Sequence, residues 1–225
     1  VIMVLQGLTG KVEAVLRDYQ FSFNLKFVSV DEATNRARGR NLGVGAAKNE
    51  IILFLESTLE ISPGLLYRHL EAYGDEATAA VMGEIYLSAF VKKNRWFRFL
   101  DSDYRSTRRW AAQTGSNHSP PLRYVNTSNF SIRKKIFEAF GGYAEHVDHH
   151  EAEDIDLAHR ISAQPQHQIH FSPEAVAYCL HNSLRDSLTK KYEFGKEGIP
   201  KLLEAYPELY PVLPSRFVKM TGFPD

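Results

Sequence analysis

The sequence predicts an α/β fold with a mainly parallel central sheet flanked by helices. Three observations carry this. Short apolar runs alternate with helix-periodic segments through the first half of the chain. Val1–Leu5 and Ile51–Leu55 are continuous apolar runs, as strands covered on both faces are. Hydrophobic residues make up 44% of 225 residues, enough to bury a sizeable core.

The elements follow in order. Val1–Leu5 reads as a buried strand, and Gly10–Tyr19 as a helix with Val12, Val15, Leu16 and Tyr19 on one face. Leu25–Val30 is a strand, Thr34–Ala47 a helix and Ile51–Leu55 a strand. Ser62-Pro63 opens the next helix, with Ser as N-cap and Pro at the first position. Thr78–Leu87 returns to strand. In the second half, Asn94–Ala112 is aromatic, basic and helical, Gln113–Arg123 is loop, and Tyr124–Ile132 is extended. Arg133–Phe140 is a short helix closed by Gly141-Gly142. Glu151–Ala163 is a helix with an acidic first turn, and His167–Phe171 and Ala175–Leu180 are two short strands. Leu184–Tyr206 is helical, interrupted near Gly195 and Gly198. With no repeat or linker, one domain spans 1–225, with 184–225 as a C-terminal helical extension. Ligands of such sheets sit beyond the carboxyl ends of the strands, so the loops there are the places to search.

Composition narrows the function. Lys+Arg and Asp+Glu are both 27, so the chain lacks the basic excess of a nucleic-acid binder. The single Cys179 rules out an intrachain disulfide and makes a reducing, cytoplasmic setting the default. No apolar run approaches the ~18–20 residues of a transmembrane helix. The stretch holding Phe97, Phe99, Tyr104 and Trp110 among Arg95, Arg98, Arg105, Arg108 and Arg109 has two readings. One is peripheral contact with a membrane surface, at the inner face of the membrane. The other, preferred here, is a helix packed on the core.

The densest chemistry is in Glu153-Asp154-Ile155-Asp156. Three crowded carboxylates push at least one pKa upward, which suits a general base. The same residues also favour a helix N-terminus, and Asp156 can pair with Arg160 four residues on. Asp101-Ser102-Asp103 reads as a solvated helix face rather than a metal site.

Asn126–Glu145 (NTSNFSIRKKIFEAFGGYAE), with the later EDIDLAHR, resembles family-2 glycosyltransferases of the GT-A fold. Arg36–Ala47 (RARGRNLGVGAA) is similar to that family's A-R-N-x-G helix, and Ile51–Glu60 to its strand leading to D-x-D. Cys179–Asn182 and Tyr192–Lys196 are similar to its closing histidine and Gly-basic segment. The resemblance covers residue 1 to about residue 200 and implies an inverting transfer. The donor would be a nucleotide-diphosphate sugar, plausibly UDP-linked, and the acceptor a saccharide or lipid-linked glycan.

Residue by residue, it makes Asp154 the base and Glu153 its neighbour. Arg40, Asn41, Glu56, Thr58, Asn129 and Lys196 fall on the nucleotide and donor side, with Gly43 in the same helix segment. Gly142, Tyr143 and Glu145 fall on the acceptor side. A divalent cation, Mn or Mg, is expected at D-x-D, with His181 as a further ligand. Here that motif reads Glu56-Ser57-Thr58, with Glu60 as a substitute ligand. Arg38, Arg40 or Lys196 could instead neutralise the diphosphate. The family's D-D-G-S turn reads Gln6-Gly7-Leu8, without carboxylates, and its first strand would lie upstream of Val1. These departures motivate an alternative, a non-catalytic GT-A domain that binds a partner. A nucleotidyltransferase is the weaker third reading.

Overall fold

A computed structural model describes residues 1–7, 10–31, 35–102, 107–115, 119–147 and 152–213. Leu8, Thr34, Asp103, Tyr104, Arg105, Glu151 and the end of the proposed extension lie outside them, as does the Arg109 side chain.

The chain forms β1 (Ile2–Gln6), α1 (Gly10–Arg17), β2 (Lys26–Val30), α2 (Arg36–Ala46), β3 (Ile51–Leu55), β4 (Leu59–Ile61) and α3 (Leu65–Glu71). It continues with β5 (Thr78–Leu87), α4 (Arg95–Leu100), α5 (Thr107–Thr114), β6 (Asn129–Arg133), α6 (Lys134–Ala139), α7 (Ala152–Ser162), β7 (Gln168–Cys179), α8 (Leu184–Glu193) and α9 (Ile199–Ala205). β1 and β2 make a parallel pair, and the other five strands form one sheet in the order β3-β6-β5-β7-β4.

That sheet is mixed rather than mainly parallel: β5/β7 is parallel, while β3/β6, β5/β6 and β4/β7 are antiparallel. The reason lies in the β5–β6 connection. After β5 the chain stays at that strand's carboxyl end, where Leu87 N donates to Asp101 Oδ1 at 3.2 Å. The next strand therefore starts from that end and runs back. Hydrophobic patterning reports a strand but not its direction.

β6 also divides the layers, because successive side chains point to opposite faces. Phe130 and Ile132 enter the main core with Leu157, Ala158 and Ile161 of α7 and Phe137 of α6. Asn129 and Ser131 face α3, where His69 bonds both at 2.9 Å.

Four expectations about elements are corrected. Val12, Val15 and Tyr19 are 50%, 58% and 64% exposed, so that side of α1 is not packed on the sheet. α3 begins at Leu65 after Gly64, whose φ of +87° needs glycine, and Ser62 holds Leu65 N through its carbonyl, not as a side-chain cap. The aromatic-basic stretch divides into α4 and α5. The two strands expected over 167–180 are one, β7, whose pairing with β5 slips between Gly83/Ser172 and Glu84/Val176. Pro173 has no N–H to give the ladder, which favours a bulge there.

The end of the described chain closes against α7. A wide turn at Phe194–Gly198 joins α8 to α9, and Phe194, Ile199, Leu202 and Leu203 pack with Ala152 and Ile155.

Candidate active site

β3, β5 and β7 end, and β6 begins, at one edge of the sheet. Glu56 N donates to Ser128 O, Ser88 N to Cys179 O, and Leu180 N to Thr58 O, each at 3.0 Å. The loops that carry chemistry therefore converge there.

α2 and α7 meet at the same edge through a buried ionic cluster. The Arg40 guanidinium lies 3.2 Å from Glu153 Oε1 and 3.3 Å from Asp154 Oδ1, and Arg36 reaches Glu153 Oε1 at 3.5 Å. Arg40 also stacks over the Tyr143 ring at 5.0 Å, a cation–π contact. Burial works against its charge, but Tyr143, Asp154, Glu153 and Glu56 outweigh burial and raise its pKa above the ordinary value. Arg40 is thus electrostatically coupled both to the α7 carboxylates and to Glu56 after β3.

Asp154 is held from below by Thr127, whose hydroxyl donates to Oδ1 and whose N–H donates to Oδ2 at 3.2 Å. Among the described residues Oδ2 accepts only that bond, so it keeps capacity for a second donor. Glu153 beside it is fully buried, and its Oε2 has no hydrogen-bond partner among the described residues. Burial first, and then the Asp154 charge, push its carboxyl up to about 7 against the pull of Arg36 and Arg40. Two neighbouring carboxyls thus stand in environments of different character, an arrangement typical of acid–base sites.

One consequence is measurable. Between pH 4.5 and about 7 the folded protein keeps a proton on Glu153 that the unfolded chain has released. Stability therefore falls as pH rises through that window and is level above it. Glu153→Gln is expected to be more stable than the parent at pH 8 by on the order of 3 kcal/mol, converging with it near pH 4. Urea unfolding at the two pH values reads this directly. A variant less stable at pH 8 would mean that Arg36 and Arg40 outweigh burial.

The turn after α6 is clamped to α2. Asn41 accepts from Tyr143 N at 2.9 Å and donates to Tyr143 O at 2.9 Å and Glu145 Oε1 at 3.1 Å. Asn35 caps α2 and donates to Glu145 O at 2.6 Å. Gly142 sits at φ +69°, and a Cβ there would meet Asn41 Oδ1 at 2.7 Å, so the turn admits only glycine. On the other side of α7, Arg160 donates to Phe140 O and Gly142 O while paired with Asp156, and Tyr206 donates to Asp156 Oδ1 at 2.8 Å. Asp156 is therefore a strut of the turn, as its pairing with Arg160 implies.

The expected catalytic, donor-side and acceptor-side residues divide. Arg40, Asn41, Gly142, Tyr143, Glu145, Glu153 and Asp154 come together. Asn129 does not face this cluster. Its amide is fully buried and spent on His69, Glu84 O and Ala175 O. Lys196 is exposed on the α8–α9 turn beside Glu197 at 3.6 Å, and Arg38 is exposed on α2, so Arg40 is the cation of that set that the fold buries. Thr127, Arg36 and Asn35 were not singled out by their chemistry in the sequence. Their signal is position: polar residues at a strand start or helix cap on the sheet's carboxyl edge.

Glu56, Thr58, Cys179 and His181 test whether a divalent cation fits. Burial pushes the Cys179 thiol up, and its Sγ donates to His181 O at 3.3 Å. One carboxylate, one hydroxyl, one imidazole and a protonated thiol are a poor match to the hard-oxygen set that Mg or Mn takes. Glu60, on β4, is exposed, and among the described residues no three His, Cys, Asp or Glu side chains are grouped to hold a metal.

A family model described as glycosyl transferase family 2 matches residues 1–141. Among solved structures, the mannosyltransferase PcManGT from Pyrobaculum calidifontis, in complex with GDP-Man and Mn2+, aligns with TM-score 0.61 at 16% identity over 93% of this chain. TarS of S. aureus in complex with UDP gives 0.58 at 16% over 96%. Glucosyl-3-phosphoglycerate synthase from Mycobacterium tuberculosis, with Mn2+, UDP and phosphoglyceric acid, gives 0.53 at 12% over 89%. At these identities the likeness shows the fold, which is GT-A. This chain spans 57%, 63% and 66% of those three chains. No curated protein matches.

Proposed function

Because the chain belongs to glycosyl transferase family 2, we propose that it transfers a sugar, with inversion, from a nucleotide-diphosphate donor to a saccharide or lipid-linked acceptor. The observation that carries this reading is Asp154, presented at the sheet's carboxyl edge by Thr127 and paired with Arg40.

Asp154 takes the proton of the acceptor hydroxyl as its oxygen attacks the anomeric carbon and the nucleoside diphosphate leaves. The turn Gly142–Glu145, fixed by Asn35 and Asn41, shapes the acceptor side. The donor is a hexosyl nucleotide. The similar structures carry GDP-Man, UDP-GlcNAc or UDP, and UDP is the expected nucleotide here. The altered Glu56-Ser57-Thr58 makes Arg40 the cation that offsets the leaving diphosphate, as a fixed guanidinium can.

Isothermal titration with UDP, in manganese and in EDTA, tests this. The expected result is binding of equal affinity in both. Loss of binding in EDTA would give the diphosphate to a metal on Glu56 and His181. No binding of UDP or GDP in either condition would favour a partner-binding domain.

A further inference from the structure

We propose that Ser88–Leu100, at the edge of the sheet that carries the site, is a docking surface for an anionic lipid bilayer. The segment is built to stand outward. Val91 and Phe97 are buried and pin it to the body, leaving the intervening side chains in solvent. Phe90 is 69% exposed, Trp96 40% and Phe99 47%. Trp96 and Phe99 lie ring to ring at 6.0 Å, and Lys93 Nζ sits 5.3 Å from the Phe90 ring centre. Lys93, Arg95 and Arg98 are exposed, and none is in an ion pair among the described residues.

The charge is local. No Asp or Glu occurs from Ile85 to Leu100, although the whole chain is neutral. Lys92 is bound to Asp101 at 3.1 Å and anchors the base of the segment. Exposed cations among large aromatics match the headgroup region, where phosphates meet the first methylenes. Each cation near an anionic surface is worth roughly fivefold in partition. Lysine is depleted at protein interfaces, so exposed Lys93 against Phe90 favours a bilayer over a protein partner.

The placement gives the surface a use. Ser88 N bonds Cys179 O at 3.0 Å, so the segment leaves the sheet beside the strand ends that carry Thr58 and His181. A lipid-linked acceptor would then be offered to the site from the membrane. That last step rests on the proposed transfer, whereas the docking does not.

Sedimentation of the full chain with vesicles tests it, without sugar donor and independently of the UDP titration. Phosphatidylcholine vesicles are compared with vesicles containing phosphatidylglycerol, at low and high salt. The expected result is binding only to the anionic vesicles and weaker binding in salt. Arg95→Glu with Arg98→Glu, and separately Trp96→Ser, should each lower it more than tenfold. Lys11→Glu with Lys135→Glu changes net charge equally but elsewhere on the surface, and should lower it far less. In the unaltered chain, brominated lipid should quench Trp96 emission, which needs no variant. No binding to anionic vesicles at low salt, or equal loss in both double variants, overturns the proposal. So would a dimer that Trp96→Ser dissociates in a chain that ignores vesicles, since that gives the face to a second copy.

Discussion

Asp154→Asn lowers turnover about 10²–10⁴-fold and leaves the protein folded. The change removes one function and keeps the shape. The amide oxygen still accepts from Thr127 N, so the start of α7 stays docked on the β6 entrance. What is lost is a carboxylate able to take a proton. Turnover is read as nucleotide release from the donor that titration identifies, beside a melting curve of the variant. An Asn variant that turns over as fast as the parent removes Asp154 from the mechanism. A variant that loses turnover and fold together leaves Asp154 as a strut, as Asp156 is.

How much of this was legible in the sequence depends on which physical signal each residue carries. The strands β1, β2, β3 and β5 were readable as short apolar runs, although in β1 and β2 Leu5 alone is buried, so the apolar pattern reported the strands and not their burial. The run from Asn126 to Glu145 was readable because the Gly141-Gly142 turn, the α6 helix and the strand before it are local and carry their own punctuation. Both glycines have positive φ, 77° and 69°. Asp154 and Glu153 were readable as chemistry because adjacent carboxylates at a helix start are conspicuous whatever surrounds them.

The remainder depends on distance in space. Asn129 lies in the motif but belongs to the α3 side of β6. Alternation along the strand decides that, and it can be applied only once it is known which face Phe130 takes. His69, the partner of Asn129, is 60 residues away in sequence. Thr127 looks like any polar residue in a loop until α7, 27 residues later, is laid across it. The exposure of Val12, Val15 and Tyr19 shows the converse error: an apolar helix face predicts burial but does not supply a surface to pack on. The direction of β6 was hidden because pattern is the same read forwards or backwards.

Arg40→Ala is expected to cost about 3–5 kcal/mol of stability at about pH 8, because it strands two buried carboxylates. Arg40 is 80% buried at its side chain, and Glu153 and Asp154 beside it are 0% and 5% exposed. Arg36, 3.5 Å from Glu153, remains but lies farther away and is itself more exposed. The loss should shrink below about pH 7, where Glu153 takes a proton. Stability alone does not separate a counter-ion from a group that also holds the donor diphosphate. Arg40→Met together with Glu153→Gln makes the separation. The second change removes one of the two buried carboxylates that the first leaves unpaired, so the pair should recover part of the stability, and double-mutant coupling of about 2 kcal/mol would register the contact of Arg40 with Glu153. If Arg40 serves only α7, this recovered protein binds UDP as the parent does. If Arg40 also faces the diphosphate, as its coupling to Glu56 suggests, the recovered protein folds and loses UDP affinity by about 100-fold, the scale of one fixed charge-assisted contact. Manganese would not restore that affinity, because the Glu56-Ser57-Thr58 loop lacks the second carboxylate to hold it.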